Sequence, residues 1–502
     1  MDGAVHLRLT GVLDAPSTGV LFDPAARAFS IDDYLAATVD SRYASTVAGL
    51  SFDGSHLDGA LHWRVALDTG ELRVRRFPAL APVCWSSASP SGLDVRGMGR
   101  CNMAGPALTL EQTRLGPSEL TSNGRAISEE VRQTLLVREA YLAWSFGRAG
   151  FTTLRAGRAR YGVAEGLVHD DYGTGVDLVV DLGAIGPPFE LRAALFQPTR
   201  DFPSSGAGIS PLLLLRADWL PSLFENAGLF VAARRERTGA LAELLRNAYV
   251  EEDVVSLAGL APGSPGYVAA SRGLASLLSA ELTSTATLAW LGSSGSLGTF
   301  AGQRLLWTLA LLRGRIESLG AGGESAAVAI PLRGSAAWLR YQVSPVPWLQ
   351  VTPWFLYLSG DRPPPEKKRL GLPAGYGAFL GVNPYVTATN LFFRGGLSET
   401  FAARQATAPG VNGRGVIAPG LNVELDAGRD VDLEARVAWL RAEDAGPWGG
   451  TSYGTEIDLS ASWEPARWLS FGAEFDLLLP GDFFGGGKTV LKTVLAVDFR
   501  TP

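Results

Sequence analysis

"VDLEARVAWLRA", residues 431–442, sets Asp432, Glu434 and Arg436 at every second position and fills the places between with Val431, Leu433, Ala435, Val437 and Trp439. A period of two describes a β-strand with one wet face and one apolar face. One such strand suits a soluble sandwich as well as a membrane barrel, so repetition has to decide.

The pattern recurs along the chain. In "ALHWRVALD" (60–68) Leu61, Trp63, Val65 and Leu67 alternate with His62, Arg64 and Asp68, and in "GVDLVVDLG" (175–183) Val176, Leu178, Val180 and Leu182 alternate with Asp177 and Asp181. "FELRAALF" (189–196), "EIDLSASWEP" (456–465) and "LSFGAEFDLLL" (469–479) repeat it, as does the terminal "TVLKTVLAVDF" (489–499). These segments of about ten residues have the length of a tilted membrane strand.

The connections alternate as well. Short turns at 52–56, 146–150, 186–188, 344–347, 426–430 and 465–467 trade places with long polar stretches near 15–40, 78–131, 161–172, 198–210, 238–280, 318–327, 359–413, 443–453 and 479–488. Strands counted under that alternation, among them 58–77, 151–160, 173–183 and 282–292, number about 18. An even count with both termini on the short-turn side is the layout of a bacterial outer-membrane barrel, with tight periplasmic turns and large extracellular loops. The expected fold is therefore all-β: one antiparallel up-and-down transmembrane barrel over 1–502. Aromatic residues at strand ends, such as Trp144, Phe189, Trp219, Trp348, Trp463 and Trp468, fit the interfacial girdles of such a barrel.

Composition agrees with one large closed architecture. The 502 residues carry 19% charged side chains and 60 glycines, and no stretch reads as an apolar helix long enough to span a bilayer. A net charge of −6 argues against nucleic acid as a partner. Cys84 and Cys101 lie in one Gly/Ser/Pro-rich stretch and form a disulfide candidate for an oxidising compartment. Four scattered histidines offer no metal-ligand spacing, and no cofactor is expected. No signal peptide is visible, so placement in the bacterial outer membrane assumes a mature or mis-started chain.

Three stretches resemble the alginate-export family of outer-membrane porins: "LLVREAYLAWSF…TTLRAGRARYGVAEGLVHDD", "NPYVTATNLFFRGGLSE" and "GTEIDLSASWEPARWLSFGAEFDLLLPGDFF". That resemblance implies an 18-stranded barrel whose electropositive lumen passes an anionic polysaccharide outward. Related barrels are porins for small solutes.

A pore moves cargo without covalent chemistry, so its working residues are charges facing the lumen. Alternation points Arg64, Arg192, Arg216, Arg340 and Arg436 inward, joined by Arg155, and their planar guanidinium forks could hold a uronate chain at successive weak sites. Acids point the same way, including Asp177, Asp181, Glu190, Glu456, Asp458, Glu474 and Asp476, and could instead pair with those arginines. In "VREAY" Arg138 and Glu139 are adjacent, which needs a bulge or the membrane edge. Arg158 and Arg160 fall out of phase with Arg155 and are expected at the extracellular rim. Lys367, Lys368 and Arg369 stand together in the loop at 359–413, the leading candidate for a plug or lid; 78–131 and 238–280 are the others. No nucleophile elbow, phosphate loop or HExxH occurs, and His169 beside Asp170 and Asp171 is the sole candidate for catalysis. The sequence supports a non-enzymatic channel exporting an anionic, alginate-like exopolysaccharide, with two alternatives: a general diffusion porin for small solutes, or a plugged barrel anchoring an envelope complex. Expected partners are outer-membrane lipid and lipopolysaccharide, the transported polysaccharide or solutes, and a periplasmic export protein.

Overall fold

The computed structural model describes residues 2–14, 43–68, 72–75, 136–147, 151–198, 209–222, 225–237, 282–299, 302–320, 328–361, 375–397 apart from 383, 394 and 395, 413–445, 450–484 and 489–500, with isolated positions 241, 264, 265 and 410. Its strands are β1 (Asp2–Asp14), β2 (Tyr43–His56), β3 (Leu61–Asp68), β4 (Leu72–Arg75), β5 (Leu136–Phe146), β6 (Thr152–Val163), β7 (His169–Asp181), β8 (Phe189–Pro198), β9 (Leu212–Trp219) and β10 (Asn226–Glu236). They continue as β11 (Leu282–Thr299), β12 (Gln303–Gly320), β13 (Val328–Val346), β14 (Leu349–Leu358), β15 (Val416–Gly428), β16 (Val431–Arg441), β17 (Ser452–Ala466), β18 (Leu469–Pro480) and β19 (Val490–Arg500).

All of them belong to one 19-stranded antiparallel sheet. Both β3 and β4 lie along β2, β3 against Gly49–His56 and β4 against Tyr43–Thr46, so they share one place and the wall is eighteen strands around. Of the stretch 58–77, expected as one strand, Leu61–Asp68 and Leu72–Arg75 are strand along the same edge of β2, with 69–71 outside the described residues. The ladder ends where it began: β19 pairs with β1, Val497 opposite Leu9, and β1 pairs with β2 on its other side. Closure leaves no row of unpaired amides, the condition for a sheet to cross hydrocarbon.

Side chains alternate between the two faces with the strand period. On β16, Asp432, Glu434, Arg436, Ala438 and Leu440 face inward, and Leu433 and Trp439 are exposed on the outside. The outer wall is a continuous apolar belt in which Leu142, Leu195, Leu229 and Leu291 are each more than half exposed. A soluble monomer rarely shows a belt of that extent. Trp144, Phe189, Trp219, Trp348, Trp463 and Trp468 collect at the short-turn edge as an exposed aromatic girdle. The chain is a bacterial outer-membrane β-barrel.

Two features differ from expectation. The stretch 161–172 is not a long loop: β6 runs to Val163, β7 starts at His169, and a single 3-10 turn over Ala164–Gly166 joins them. Ala164 and Glu165 adopt left-handed φ of 55° and 48° there, a tight reversal that polarity alone does not announce. Strand β11 does not stop at 292 but continues through "GSSGSLGT". Its glycines are covered by neighbouring rings: a Cβ on Gly292 would meet Phe230 and one on Gly295 would meet Trp307, so borrowed aromatics replace the missing side chains. In β5 the adjacent Arg138 and Glu139 are accommodated by a bulge, one of the two arrangements their spacing required. It sits between the pairs Ala66↔Glu139 and Leu67↔Val137, and it lets Glu139 stay on the lumen side while Arg138 turns out.

The facing assignment has a direct test. Leu459→Arg puts a charge on the lipid side and should cost about 2–4 kcal/mol near the midplane, read as loss of the heat-modifiable folded band after refolding. Asp458→Asn, one residue away and facing inward, should leave that band intact. Equal folding of the two variants would invert the wall.

Candidate functional site: a lumen crossed by an inserted segment

The inward arginines arise from the same alternation that greases the outside, and each meets a carboxylate. Asp177 on β7 receives Arg155 Nη2 from β6 at 2.7 Å and both Nε and Nη2 of Arg192 from β8 at 2.9 Å. Arg216 makes a two-pronged contact with Asp218 on its own strand, at 2.6 and 2.7 Å. Arg436 Nε donates to Glu434 at 2.6 Å. Arg64 lies 2.5 Å from Glu139 and 3.4 Å from Asp53. Such forked pairs fix side chains against the wall and neutralise one another. Asp181 also departs from a conducting role: its carboxylate caps the turn at Leu182–Ile185 by accepting from the Gly183 amide.

The described part of the loop between β14 and β15 enters the barrel. Its near end continues the ladder beside β13: the Tyr376 amide donates to the Pro331 carbonyl and the Arg333 amide to the Tyr376 carbonyl, each at 2.9 Å. Gly334 makes room for this approach, since a Cβ there would lie 2.6 Å from Phe379 Cα. The segment then crosses inward. Trp290 Nε1 of β11 donates to the Leu380 carbonyl at 2.8 Å, and the amides of Val382 and Tyr385 donate to the carbonyls of Val168 and Gly166. The β6–β7 turn therefore folds in to meet the segment, and Glu165 at its tip pairs with Arg340 of β13, whose guanidinium lies 4.3 Å from the Trp338 ring. Phe379, Leu380, Val382, Val386, Leu391 and Phe392 are buried inside the barrel.

At the far side the segment is held by acids. Glu456 on β17 accepts from the Leu391 amide at 2.5 Å, the Phe392 amide at 3.0 Å and Thr389 Oγ1 at 2.9 Å. Asp458 accepts from the Asn390 amide at 3.0 Å, and Asp476 on β18 accepts from Asn390 Nδ2 at 2.9 Å. Asn390 Oδ1 takes Arg436 Nη1, which fixes the orientation of its amide. Lys492 on β19 completes the cluster, 2.9 Å from Glu474, 3.0 Å from Asp476 and donating to the Asn390 carbonyl. Glu474 also accepts from the Leu397 amide, reached because Gly396 at φ 84° carries no Cβ. Backbone donors, Asn390 Nδ2 and a lysine offset the burial of these carboxylates, although Asp458 Oδ1 has no donor among the described residues.

These positions correct one expectation. Glu456 and Asp458 do not line an open path; they lie beneath the inserted segment and anchor it. Arg158 and Arg160, expected at the extracellular rim and out of phase with Arg155, lie in the half of β6 nearer the long-loop side and face outward, where Arg160 forms a forked pair with Asp170 at 2.7 Å. That pairing, with His169 buried against Phe196, leaves the "HDD" sequence in the wall. Lys367, Lys368, Arg369, Cys84 and Cys101 lie outside the described residues, as do the stretch 78–131 and most of 238–280. Reading the sequence missed Asn390 and Glu165, whose roles depend on partners 86 and 175 residues away. The one available signal was a polar pair, Thr389 and Asn390, set before the apolar run "LFF".

Below the segment, on the short-turn side, a cavity of about 700 Å³ opens between β14 and β18, lined by Gln350, Glu424, Asp432, Glu434, Arg436 and Glu474. Among its charged side chains, which also include Asp426, the carboxylates outnumber the single guanidinium of Arg436. The space is of the size that takes a small organic molecule.

No known family profile matches the chain, and no curated protein is similar to it in sequence. Among solved structures it is similar to the outer membrane protein OprD from Pseudomonas aeruginosa (10% identity, 99% of this chain and 93% of that one, TM-score 0.46). It is also similar to Pseudomonas aeruginosa OccK9 (OpdG) (13%, 100% and 98%, 0.47) and to Acinetobacter baumannii OccAB4 (9%, 100% and 98%, 0.46). The resemblance to alginate exporters finds no counterpart among these matches, and the likeness to the solved channels is too loose to carry a function across.

Glu456→Ala removes the acceptor of three donors, a loss of about 1–3 kcal/mol for each one left unsatisfied. The expected result is a larger single-channel conductance and a segment open to protease near Leu391. Unchanged conductance would mean that the segment does not limit flow.

Proposed function

We propose that this barrel is a passive outer-membrane porin for small solutes, narrowed by residues 376–397 and without catalytic activity. The observation that carries this reading is the segment itself, tied to β11 and β13 on one side of the lumen and to β17–β19 on the other. A polymer needs a continuous bore, and a chain segment strung across the lumen favours passage of small molecules around it.

The charge arrangement points the same way. A polyuronate track needs guanidinium groups free to bind one carboxylate after another, whereas Arg155, Arg192, Arg216 and Arg436 already hold carboxylates of the wall. The acids of the lower cavity outnumber its one arginine, which favours cations at the mouth. The alternative, export of an anionic polysaccharide, would require the segment to leave the lumen and the wall arginines to exchange partners.

Reversal potentials of the purified barrel in a planar bilayer under a salt gradient test this. Weak cation preference, with no block by an acidic oligouronate on either side, is the expected outcome. Anion preference with oligouronate block would restore the export reading, and a silent bilayer would favour a plugged anchor.

A further inference from the structure

Above the apolar belt, the outer wall of β10–β13 changes character. Outward positions on β12 run Leu305, Trp307, Leu309 and Leu311, then Arg313, Arg315 and Glu317. On β13 they run Tyr341, Leu339, Ala337 and Ser335, then Arg333, and on β10 Leu229, Val231 and Ala233, then Arg235. The register brings these arginines together. Arg313 stands directly opposite Arg333, and Arg315 is opposite Thr287, whose other neighbour is Arg235.

All four guanidinium side chains are exposed. Within β10–β13 the described carboxylate on this face is Glu317, 3.4 Å from Arg315 with both side chains more than half exposed, and the nearby Glu443 is held by Tyr357 and the Gly360 amide. Arg313 spends one nitrogen on the carbonyl of Leu312. Two arginines facing each other across neighbouring strands repel, and a sheet normally avoids that pair unless an anion lies between them.

Depth identifies the anion. Ten residues of β12, from Gln303 to Leu312, rise about 3.4 Å each along a strand tilted by about 40°, which gives an apolar height of about 25 Å. Arg313 and Arg333 therefore begin where the hydrocarbon ends, on the side of the long loops. Directly beneath them Leu311, Leu309, Leu291 and Val231 offer a continuous apolar wall. A free phosphate would use the arginines and ignore that wall, whereas a lipid uses both.

We infer that Arg235, Arg313, Arg315 and Arg333 form a binding site for a phosphorylated, multiply acylated glycolipid of the outer leaflet, its phosphates held by the guanidinium forks and its acyl chains lying on the leucines below. The inference rests on the outer-membrane orientation given above and concerns the outer surface rather than the lumen. The lipid seals the wall where its charge would otherwise face the headgroups unpartnered.

The test is native mass spectrometry of the full-length barrel incubated with diphosphoryl lipid A, with its dephosphorylated form and with phosphatidylethanolamine, read alongside bilayer conductance. The expected result is retention of diphosphoryl lipid A, weakened about tenfold by the double substitution Arg313→Gln, Arg333→Gln and strengthened by Glu317→Gln, with conductance unchanged in both variants; tenfold corresponds to about 1.4 kcal/mol. Equal retention of all three lipids, or retention indifferent to the double substitution, would overturn the site. A dimer that forms without lipid and is lost in the double variant would also overturn it, assigning the patch to a second copy. Because conductance is read separately, a barrel that binds lipid A but stays silent supports the lipid site while refuting the porin reading.

Discussion

A backbone amide in hydrocarbon has no water to bond, and the architecture of this chain is an answer to that one demand. The ladder must close, so β19 has to find β1, and every strand must present an apolar face outward along its whole membrane height. Period-two alternation is the cheapest sequence that satisfies both conditions. It also leaves the opposite face free to carry charge, because that face looks into water or at other protein.

An eighteen-stranded ring is too wide for its own side chains to fill. What occupies this lumen is backbone from elsewhere in the chain, and buried backbone needs partners as strictly as membrane backbone does. The acids of β17 and β18 supply them, which explains why a wall facing protein is charged at all. Glu456 and Asp458 are acceptors for amides of the inserted segment, and Lys492 sits between Glu474 and Asp476 and contacts both. The lumen charges of β6–β8 do a different job, cross-linking three neighbouring strands through Asp177.

The barrel was legible in the sequence because its signal is local. The alternation of β16 can be read from "VDLEARVAWLRA" without knowing its neighbours, and short turns such as Arg429 and Asp430 punctuate it. The interior was not legible, because parity says that Asp458 points inward without saying what it meets there. Its partner is an amide of Asn390, 68 residues earlier. Turn geometry was hidden for a related reason: the β6–β7 reversal is shaped by its contact with Val382 and Tyr385, so its own residues look like the edge of a longer loop. The long run of β11 was obscured by glycines whose packing is supplied from adjacent strands.

The anchors of the inserted segment lie after it in the chain, on strands β17 to β19, and Lys492 reaches Asn390 across 102 residues. A loop can fold into the mouth of a closed ring, but these anchors exist only once β17, β18 and β19 stand side by side. Until β19 pairs with β1, both strands expose an unpaired edge and the segment lacks the wall that holds it. The step that seals the wall therefore also completes the site that sets the bore.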